Sequence, residues 1–90
     1  MGISEGFLAL FIELNEIADR ETRDRIENVL RNFLGDRPAN EIWKVWIHSI
    51  GSHCQVVLEG PNQTRQRVFF DDSSTVPEKI RDWLDLYPPR

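Results

Sequence analysis

The chain has 90 residues, of which 40% are hydrophobic and 29% charged, and its formal net charge at pH 7 is −4. This length and composition predict a single globular domain, residues 1–90, built around one core. They exclude a disordered chain. The negative charge disfavours bulk electrostatic binding to nucleic acid or anionic lipid, because such binding depends on Lys and Arg.

The location of the chain is suggested by two features. The longest apolar run, from Phe7 to Ile12, stops at Glu13 and is far shorter than the roughly 20 residues of a membrane span. Glu5 rather than a basic residue precedes that run, which does not fit a secretory signal. Cys54 is the single cysteine, so no intrachain disulfide can form. We therefore expect no membrane partner and a reducing, cytoplasmic location.

Residues 7–14 fit two structures. Phe7, Leu10, Phe11 and Leu14 follow helical spacing, while the almost unbroken apolar octet is also typical of a central buried strand. A short apolar run without a charged face is unusual for a helix of a small domain. This argument favours the strand.

The segment from Asp19 to Gly35 has the pattern of an amphipathic helix. Asp19 is a good N-cap residue and Gly35 a good residue to follow a helix. The apolar positions recur at helical spacing and are Ile26, Val29, Leu30, Phe33 and Leu34. The other side carries Arg20, Arg23, Asp24, Glu27 and Arg31. Mixed charge on that side predicts a solvated face.

Three strand-like segments follow, at residues 42–50, 53–59 and 64–70. Gly51 and Ser52 suit a two-residue turn between the first two strands. This turn puts one apolar or small row on the side to be buried, pairing Ser49 with Cys54, Ile47 with Val56 and Val45 with Leu58. The solvent side then pairs Ile50 with His53, His48 with Gln55, Trp46 with Val57 and Lys44 with Glu59.

The second hairpin has two possible registers. A three-residue loop, 61–63, keeps its apolar residues on the same side as those of the first hairpin. It predicts two buried pairs, Val56 with Val68 and Cys54 with Phe70. A shift by one residue would bury Arg67 and expose Phe70, at a cost of several kcal/mol in transfer free energy. We therefore expect the three-residue loop.

The last element is predicted to be a helix that begins with a capping box from Thr75 to Glu78, with Pro77 in its first turn. Its apolar stripe is Val76, Ile80, Trp83, Leu84 and Tyr87. The order β-α-β-β-β-α predicts an α+β fold with both helices on one face of an antiparallel sheet, a ferredoxin-like variant without its usual final strand. We expect Val45, Ile47, Val56, Leu58, Val68 and Phe70 to be buried beneath Ile26, Leu30, Phe33, Ile80, Trp83 and Leu84.

Candidate catalytic and metal-binding groups are few. His53 and Cys54 are adjacent in a strand and therefore point to opposite faces, so Cys54 is expected in the core. His48, His53 and Gln55 share a face but lack the three or four firm ligands of a transition-metal site. Residues 71–74 fit a turn and helix cap. No nucleophile elbow, phosphate-binding loop or dinucleotide motif is present, and we expect neither catalysis nor a cofactor.

The open face of the predicted sheet is the candidate functional site. In the expected register, Trp46 and Phe69 lie in solvent beside basic side chains, and such exposed aromatic surfaces usually mark contact sites. Trp and Arg dominate the binding energy of protein interfaces. The predicted partner-binding residues are Trp46, Arg67 and Phe69 at the centre, with Lys44, His48 and Arg65 around them.

These residues predict a small non-enzymatic protein-interaction module, such as an adaptor, an inhibitor, an immunity-like protein or a homodimer joined through its sheet faces. The alternative is a module that stacks single-stranded nucleic acid on the same face. The negative net charge favours the protein partner. Two further alternatives remain: cross-strand pairs that only stabilise the hairpins, and an active site shared between subunits, which a search of one chain would miss.

Overall fold

The computed structural model describes residues 10–35, 41–70 and 72–88. In chain order the elements are β1 (Leu10–Asn15), α1 (Arg20–Leu34), β2 (Trp43–Ile50), β3 (His53–Glu59), β4 (Thr64–Phe69), a short 3-10 turn (Ser73–Thr75) and α2 (Val76–Leu86). The predicted strand over 7–14 is confirmed from Leu10 onward, and residues 7–9 lie outside the described residues. Within these ranges, no helix is long and apolar enough to cross a membrane.

The four strands form one sheet in the order β1-β2-β3-β4. β1 and β2 are parallel, whereas β2, β3 and β4 form two antiparallel pairs. The sheet is therefore mixed, and the prediction of a fully antiparallel sheet is wrong for β1. β1 is also an edge strand rather than a central one. The strands joined by α1 are neighbours and are not split by a third strand, so the ferredoxin-like order is not confirmed.

β1 contains a bulge at Glu13, where its register against β2 shifts. An extra residue in one strand re-aims the side chains that follow it. Leu14 lies opposite Trp46, and Asn15 turns toward α1, where its Nδ2 donates to Glu27 Oε2 at 3.1 Å. The bulge thus sends Leu14 to one side of the sheet and Asn15 to the other.

α1 begins and ends where the sequence predicts. The Thr22 N–H and hydroxyl donate to Asp19 Oδ2 at 3.0 and 2.7 Å, and these hydrogen bonds lower the pKa of Asp19. At the other end, the Gly35 N–H donates to the Arg31 carbonyl at 2.8 Å. The caps satisfy backbone groups that have no partner inside the helix.

One hydrophobic core joins the helices to one side of the sheet. From β2 and β3 it contains Val45, Ile47, Val56 and Leu58, all fully buried. From α1 and α2 it contains Ile26, Leu30, Leu34, Ile80, Trp83 and Leu84. Phe33, predicted to be in the core, is only partly buried against it. Burial of this apolar area is the main favourable term in folding.

Trp43 is the largest fully buried side chain, and the sequence analysis did not predict it as part of the core. It lies beside Leu10 of β1 and against Gly60. A Cβ atom at Gly60 would stand 2.6 Å from the Trp43 ring, so the indole fits only because residue 60 has no side chain. The Trp43 Nε1 donor has no hydrogen-bond partner among the described residues.

The two hairpins differ in how well the sequence predicts them. The β2–β3 register is confirmed at every predicted pair, from Ile50 with His53 to Lys44 with Glu59. The β3–β4 register is wrong by one residue, because Cys54 lies opposite Phe69 and Val56 opposite Arg67. Phe69 is therefore 5% exposed and Phe70 is 70% exposed, the reverse of the expectation, and Val68 is also exposed.

The reason for the error is that β4 is an edge strand. The connection from β3 has four residues, 60–63, and is closed by a hydrogen bond from the Gly60 N–H to the Gln63 carbonyl at 2.8 Å. This register places Arg67 on the helix side of the sheet, where burial of its charge was expected to cost free energy. At an edge, however, a long side chain can run outward and keep its charge in water, and Arg67 is exposed.

α2 begins at Val76, as predicted, but not through the predicted capping box. The Thr75 side chain makes no cap to the helix; its hydroxyl and its N–H both donate to the Asp72 carbonyl, at 2.8 and 2.9 Å. Asp72 Oδ1 accepts from the Ser74 N–H at 3.5 Å. The 3-10 turn thus precedes α2 as a structural cap, while Asp71 lies outside the described residues.

Candidate interaction surface

The side of the sheet that faces away from the helices is called the open face. It carries alternate residues of each strand, in three cross-strand rows: Phe11, Lys44, Glu59 and Thr64; Leu14, Trp46, Val57 and Gln66; His48, Gln55 and Val68. Ile50, His53 and Phe70 stand at the end where β2 turns into β3. No described residue of either helix covers these rows.

Exposed apolar side chains are concentrated on the open face. Seven large hydrophobic residues are exposed in the described part of the chain. Four of them lie on this face: Phe11 and Val68, both at 39%, belong to the rows above, and Ile50 at 57% and Phe70 at 70% stand at their end. Scattered exposed hydrophobic residues need no explanation, but a contiguous group is typical of an interaction site.

The centre of the open face is flat and apolar. Trp46 stands between Leu14 of β1 and Val57 of β3, and all three side chains are half-buried. Side chains that are partners across neighbouring strands are close enough to interact. The face therefore presents an apolar centre without any side chain from the helices.

Charged and polar groups lie around the apolar centre of the open face. Lys44 lies opposite Glu59. Glu16, just beyond β1, accepts from the Ser49 N–H at 2.9 Å, and the same carboxylate oxygen lies 3.8 Å from His48 Nδ1. These groups surround the apolar centre as a polar rim, which is the usual anatomy of a protein interface.

His53 holds Phe70 at one end of the open face. The two rings lie edge to face, with centroids 4.4 Å apart at 67°, and His53 Nδ1 lies 3.3 Å from the Ser52 hydroxyl. Such ring pairs add about 0.5–1.5 kcal/mol beyond the area they bury. The part of the chain that the structure describes contains no group of three or more His, Cys, Asp and Glu residues that could hold a metal ion.

The six predicted binding residues are divided between the two sides of the sheet. Lys44, Trp46 and His48 lie on the open face as predicted. Arg65, Arg67 and Phe69 lie on the helix side, because of the one-residue error in the β3–β4 register. The predicted aromatic and basic surface is therefore wrong in its arginines and in Phe69.

Phe69 belongs to the core, where its ring lies edge to face with Trp83 at a centroid distance of 6.0 Å. Arg67 extends over the Phe69 ring, with its Cζ 5.7 Å from the centroid. Arg65 fastens the end of α2: its guanidinium donates to the Tyr87 carbonyl and, at 3.0 Å, to the Pro88 carbonyl. Cations near the end of a helix satisfy its last carbonyls.

Cys54 is a core residue, as the sequence predicts, with 3% of its surface exposed. Burial raises the pKa of its thiol, so the reactive thiolate is disfavoured at neutral pH. His53, its neighbour in the chain, stands on the open face beside Phe70. The two residues do not form a thiol and base pair.

Ile50 lies on the solvent side as predicted, whereas Phe11, Val68 and Phe70 were not predicted from the sequence as surface residues. The adjacent aromatics Phe69 and Phe70 were a signal, since a strand can bury only one of two neighbours. No known protein family, no characterised protein and no solved structure matches this chain.

Proposed function

We propose that this chain is a small non-enzymatic protein-interaction module that binds its partner through the open face. The observation that carries the proposal is that four exposed hydrophobic residues, Phe11, Ile50, Val68 and Phe70, lie on the same face of the sheet as the half-buried Trp46. Covering these side chains removes apolar area from water, at about 25 cal/mol per Å². The partner is another protein or a second copy of the chain.

The size of the face limits the area that a partner can cover. Four strands about 4.8 Å apart and about 20 Å long present a projected area of about 400 Å². A stable protein interface buries about 800 Å² on each partner. In projection the open face is thus smaller than a standard interface, and a partner that buries a standard area also contacts the rim or the edges of the sheet.

The alternative is a module that binds single-stranded nucleic acid. Trp46, Phe11 and Phe70 are aromatic platforms on an open sheet, the type of residue on which bases stack. However, the arginines that supported this function lie on the other side, and Lys44 is opposite Glu59. With no excess of cations on the face, phosphate binding would lack its main electrostatic term. We therefore favour the protein partner.

The cytoplasmic location remains part of this proposal. It rests on the single cysteine, Cys54, which is buried and free. Disulfides are the usual means of stabilising small domains in oxidising compartments. A chain with a single cysteine cannot form an intrachain disulfide, and it is suited to a reducing compartment.

The proposal is tested by a double substitution on the open face, Trp46→Ala with Phe11→Ala, and by a control double substitution, Arg20→Ala with Asp24→Ala, at two exposed residues of α1. Sedimentation equilibrium over a range of concentrations measures self-association. Immobilised protein measures capture of other proteins. We expect the double variant to lose the complex, whether with itself or with another protein, and the control to keep it, since aromatic anchors near the centre of an interface dominate its energy.

Unchanged association and capture in the double variant, with a fold shown intact by circular dichroism, would contradict the proposal. Salt-sensitive binding of single-stranded oligonucleotides that the double variant loses would favour the alternative instead.

A further inference from the structure

β4 is an edge strand of the described sheet. It pairs with β3, and no other described strand lies beside it. Unpaired N–H and C=O groups along such an edge are a template for one more strand. Pairing there would add main-chain hydrogen bonds to whatever the side chains contribute.

The hairpin closure shows which backbone groups point outward. The Gly60 N–H donates to the Gln63 carbonyl, so these two form a hydrogen-bonded pair. Hydrogen-bonded and non-hydrogen-bonded pairs alternate along an antiparallel ladder. The N–H and C=O groups of Thr64, Gln66 and Val68 therefore face away from β3, toward the edge of the sheet.

A groove of about 280 Å³ runs between β4 and α2 beside this edge. It is lined on its polar part by Arg67, Lys79 and Asp82, and on its apolar part by Phe70, Leu86 and Tyr87. Arg67 and Lys79 form no ion pair in the described part of the chain. The groove thus carries two cations and one carboxylate, although the chain as a whole has a net charge of −4.

The two sides of the β4 edge would contact different kinds of side chain in an added strand. Arg65 and Arg67 lie on the helix side of β4, whereas Val68 and Phe70 lie on the open face. Residues of an added strand alternate between these sides. The complementary strand carries acidic side chains at one set of alternate positions and apolar side chains at the other.

A second copy of β4 is a poor occupant. Antiparallel pairing of two β4 strands centred on Gln66 would place Arg65 of each copy opposite Arg67 of the other. Like charges directly opposite each other destabilise a strand pair, and charged residues on edge strands are a known means of preventing self-pairing. The arginines therefore disfavour pairing with a second copy of β4 and favour pairing with an acidic strand.

We propose that the β4 edge binds an extended acidic segment of a partner protein as a fifth strand of the sheet. Its acidic side chains lie toward Arg67 and Lys79, and its apolar side chains lie toward Val68 and Phe70. This inference goes beyond the function proposed for the open face, because it concerns the backbone edge and the groove, and it stands even if Trp46 binds nothing.

The test uses a blocked, fluorescent ten-residue peptide in which Glu and Val alternate, and a second in which Lys replaces Glu. Fluorescence anisotropy measures both affinities. We expect the Glu peptide to bind about tenfold or more tightly than the Lys peptide, since complementary charge selects partners. Arg67→Glu should reverse this preference, whereas Arg20→Glu, the same charge change at an exposed residue of α1, should leave it within about twofold.

The backbone part of the inference has a matched pair of variants. Gln66→Pro removes the central outward N–H without breaking the ladder to β3, because Pro is tolerated on an edge strand when its N–H would face solvent. We expect this substitution to weaken binding of the Glu peptide by about fivefold to tenfold, the effect of losing one hydrogen bond. Gln66→Ala, which keeps the N–H, should weaken it by less than about twofold.

Three results would overturn the inference. One is equal loss of binding in Gln66→Pro and Gln66→Ala, both folded by circular dichroism. Another is a wild-type dimer that Gln66→Pro dissociates, which would make a second copy the occupant. The third is a ten-nucleotide oligo(dT) that competes with the peptide and is weakened by Arg67→Glu but not by Gln66→Pro. The ligand of the groove would then be nucleic acid, which does not hydrogen-bond to the backbone of β4 as an added strand would.

Discussion

Strands β3 and β4 each place a buried and a more exposed apolar residue next to each other in the chain. Val56 and Val57 are neighbours in β3, yet Val56 is fully buried beneath the helices and Val57 is half-exposed on the open face. Phe69 and Phe70, at the end of β4, are 5% and 70% exposed. Residue type is identical within each pair, so position relative to the sheet alone separates a stabilising side chain from one available to a partner.

The largest expected difference is between the two phenylalanines. Phe69→Ala should lower the free energy of unfolding by about 3–5 kcal/mol, because it leaves a cavity against Trp83. Phe70→Ala should change it by no more than about 1 kcal/mol, mainly through the lost ring contact with His53. Urea denaturation of both variants measures the two values. Equal losses would show that the register of β4 is not the one described.

The valine pair gives the same comparison in the middle of the sheet. Val56→Ala should cost about 2 kcal/mol, from lost transfer free energy and a small cavity. Val57→Ala should cost less than about 1 kcal/mol, since its neighbours are already in partial contact with water. Chemical denaturation distinguishes the two. A larger loss at Val57 would mean that the open face is covered.

The contact between Gly60 and the Trp43 ring tests the packing at the edge of the core. Gly60→Ala should destabilise the fold by about 1–3 kcal/mol, because its Cβ would overlap the Trp43 ring. Adding Trp43→Phe, which shortens the ring, should recover part of the Gly60→Ala penalty. A double-mutant cycle measures this coupling. Additive effects would show that Gly60 and Trp43 do not touch.

The smallest expected change in stability concerns Asp19 at the start of α1, outside both faces of the sheet. The pKa of Asp19 is lowered by its hydrogen bonds from Thr22, so its contribution to stability is present above its unfolded pKa of about 4 and is lost as the pH falls through the lowered, folded value. Asp19→Asn keeps an equally good cap without the charge. Urea melts at pH 5 and pH 3 should show a larger loss in the wild type than in Asp19→Asn. Parallel losses would contradict the assigned pKa direction.

The sequence was sufficient where local rules act together. Asp19 and Gly35 delimit α1, and the two-residue turn at Gly51 and Ser52 sets the β2–β3 register, since turn length and apolar alternation agree. Gly51 has a φ of 61°, the left-handed conformation that glycine adopts without strain. Each of these features depends on residues close together in the chain.

The sequence was insufficient where the outcome depends on strand position in the sheet. The β4 register was decided by the cost of burying Arg67, but that cost vanishes at an edge, where the side chain reaches water. Likewise, β1 reads as a central strand, while its place beside β2 at an edge leaves Phe11 exposed. Half of the predicted binding residues were misplaced for this one reason.

The β3–β4 register is the most direct test of this account, because it decides which side chains belong to the open face and which backbone groups lie on the β4 edge. In an antiparallel pair, the α-protons of residues in non-hydrogen-bonded positions are close enough for a strong nuclear Overhauser effect. The structure predicts such a cross-peak between Val57 and Gln66, with another between Gln55 and Val68. Cross-peaks from Val57 to Arg67 or from Val56 to Val68 would contradict it and return the two arginines to the open face.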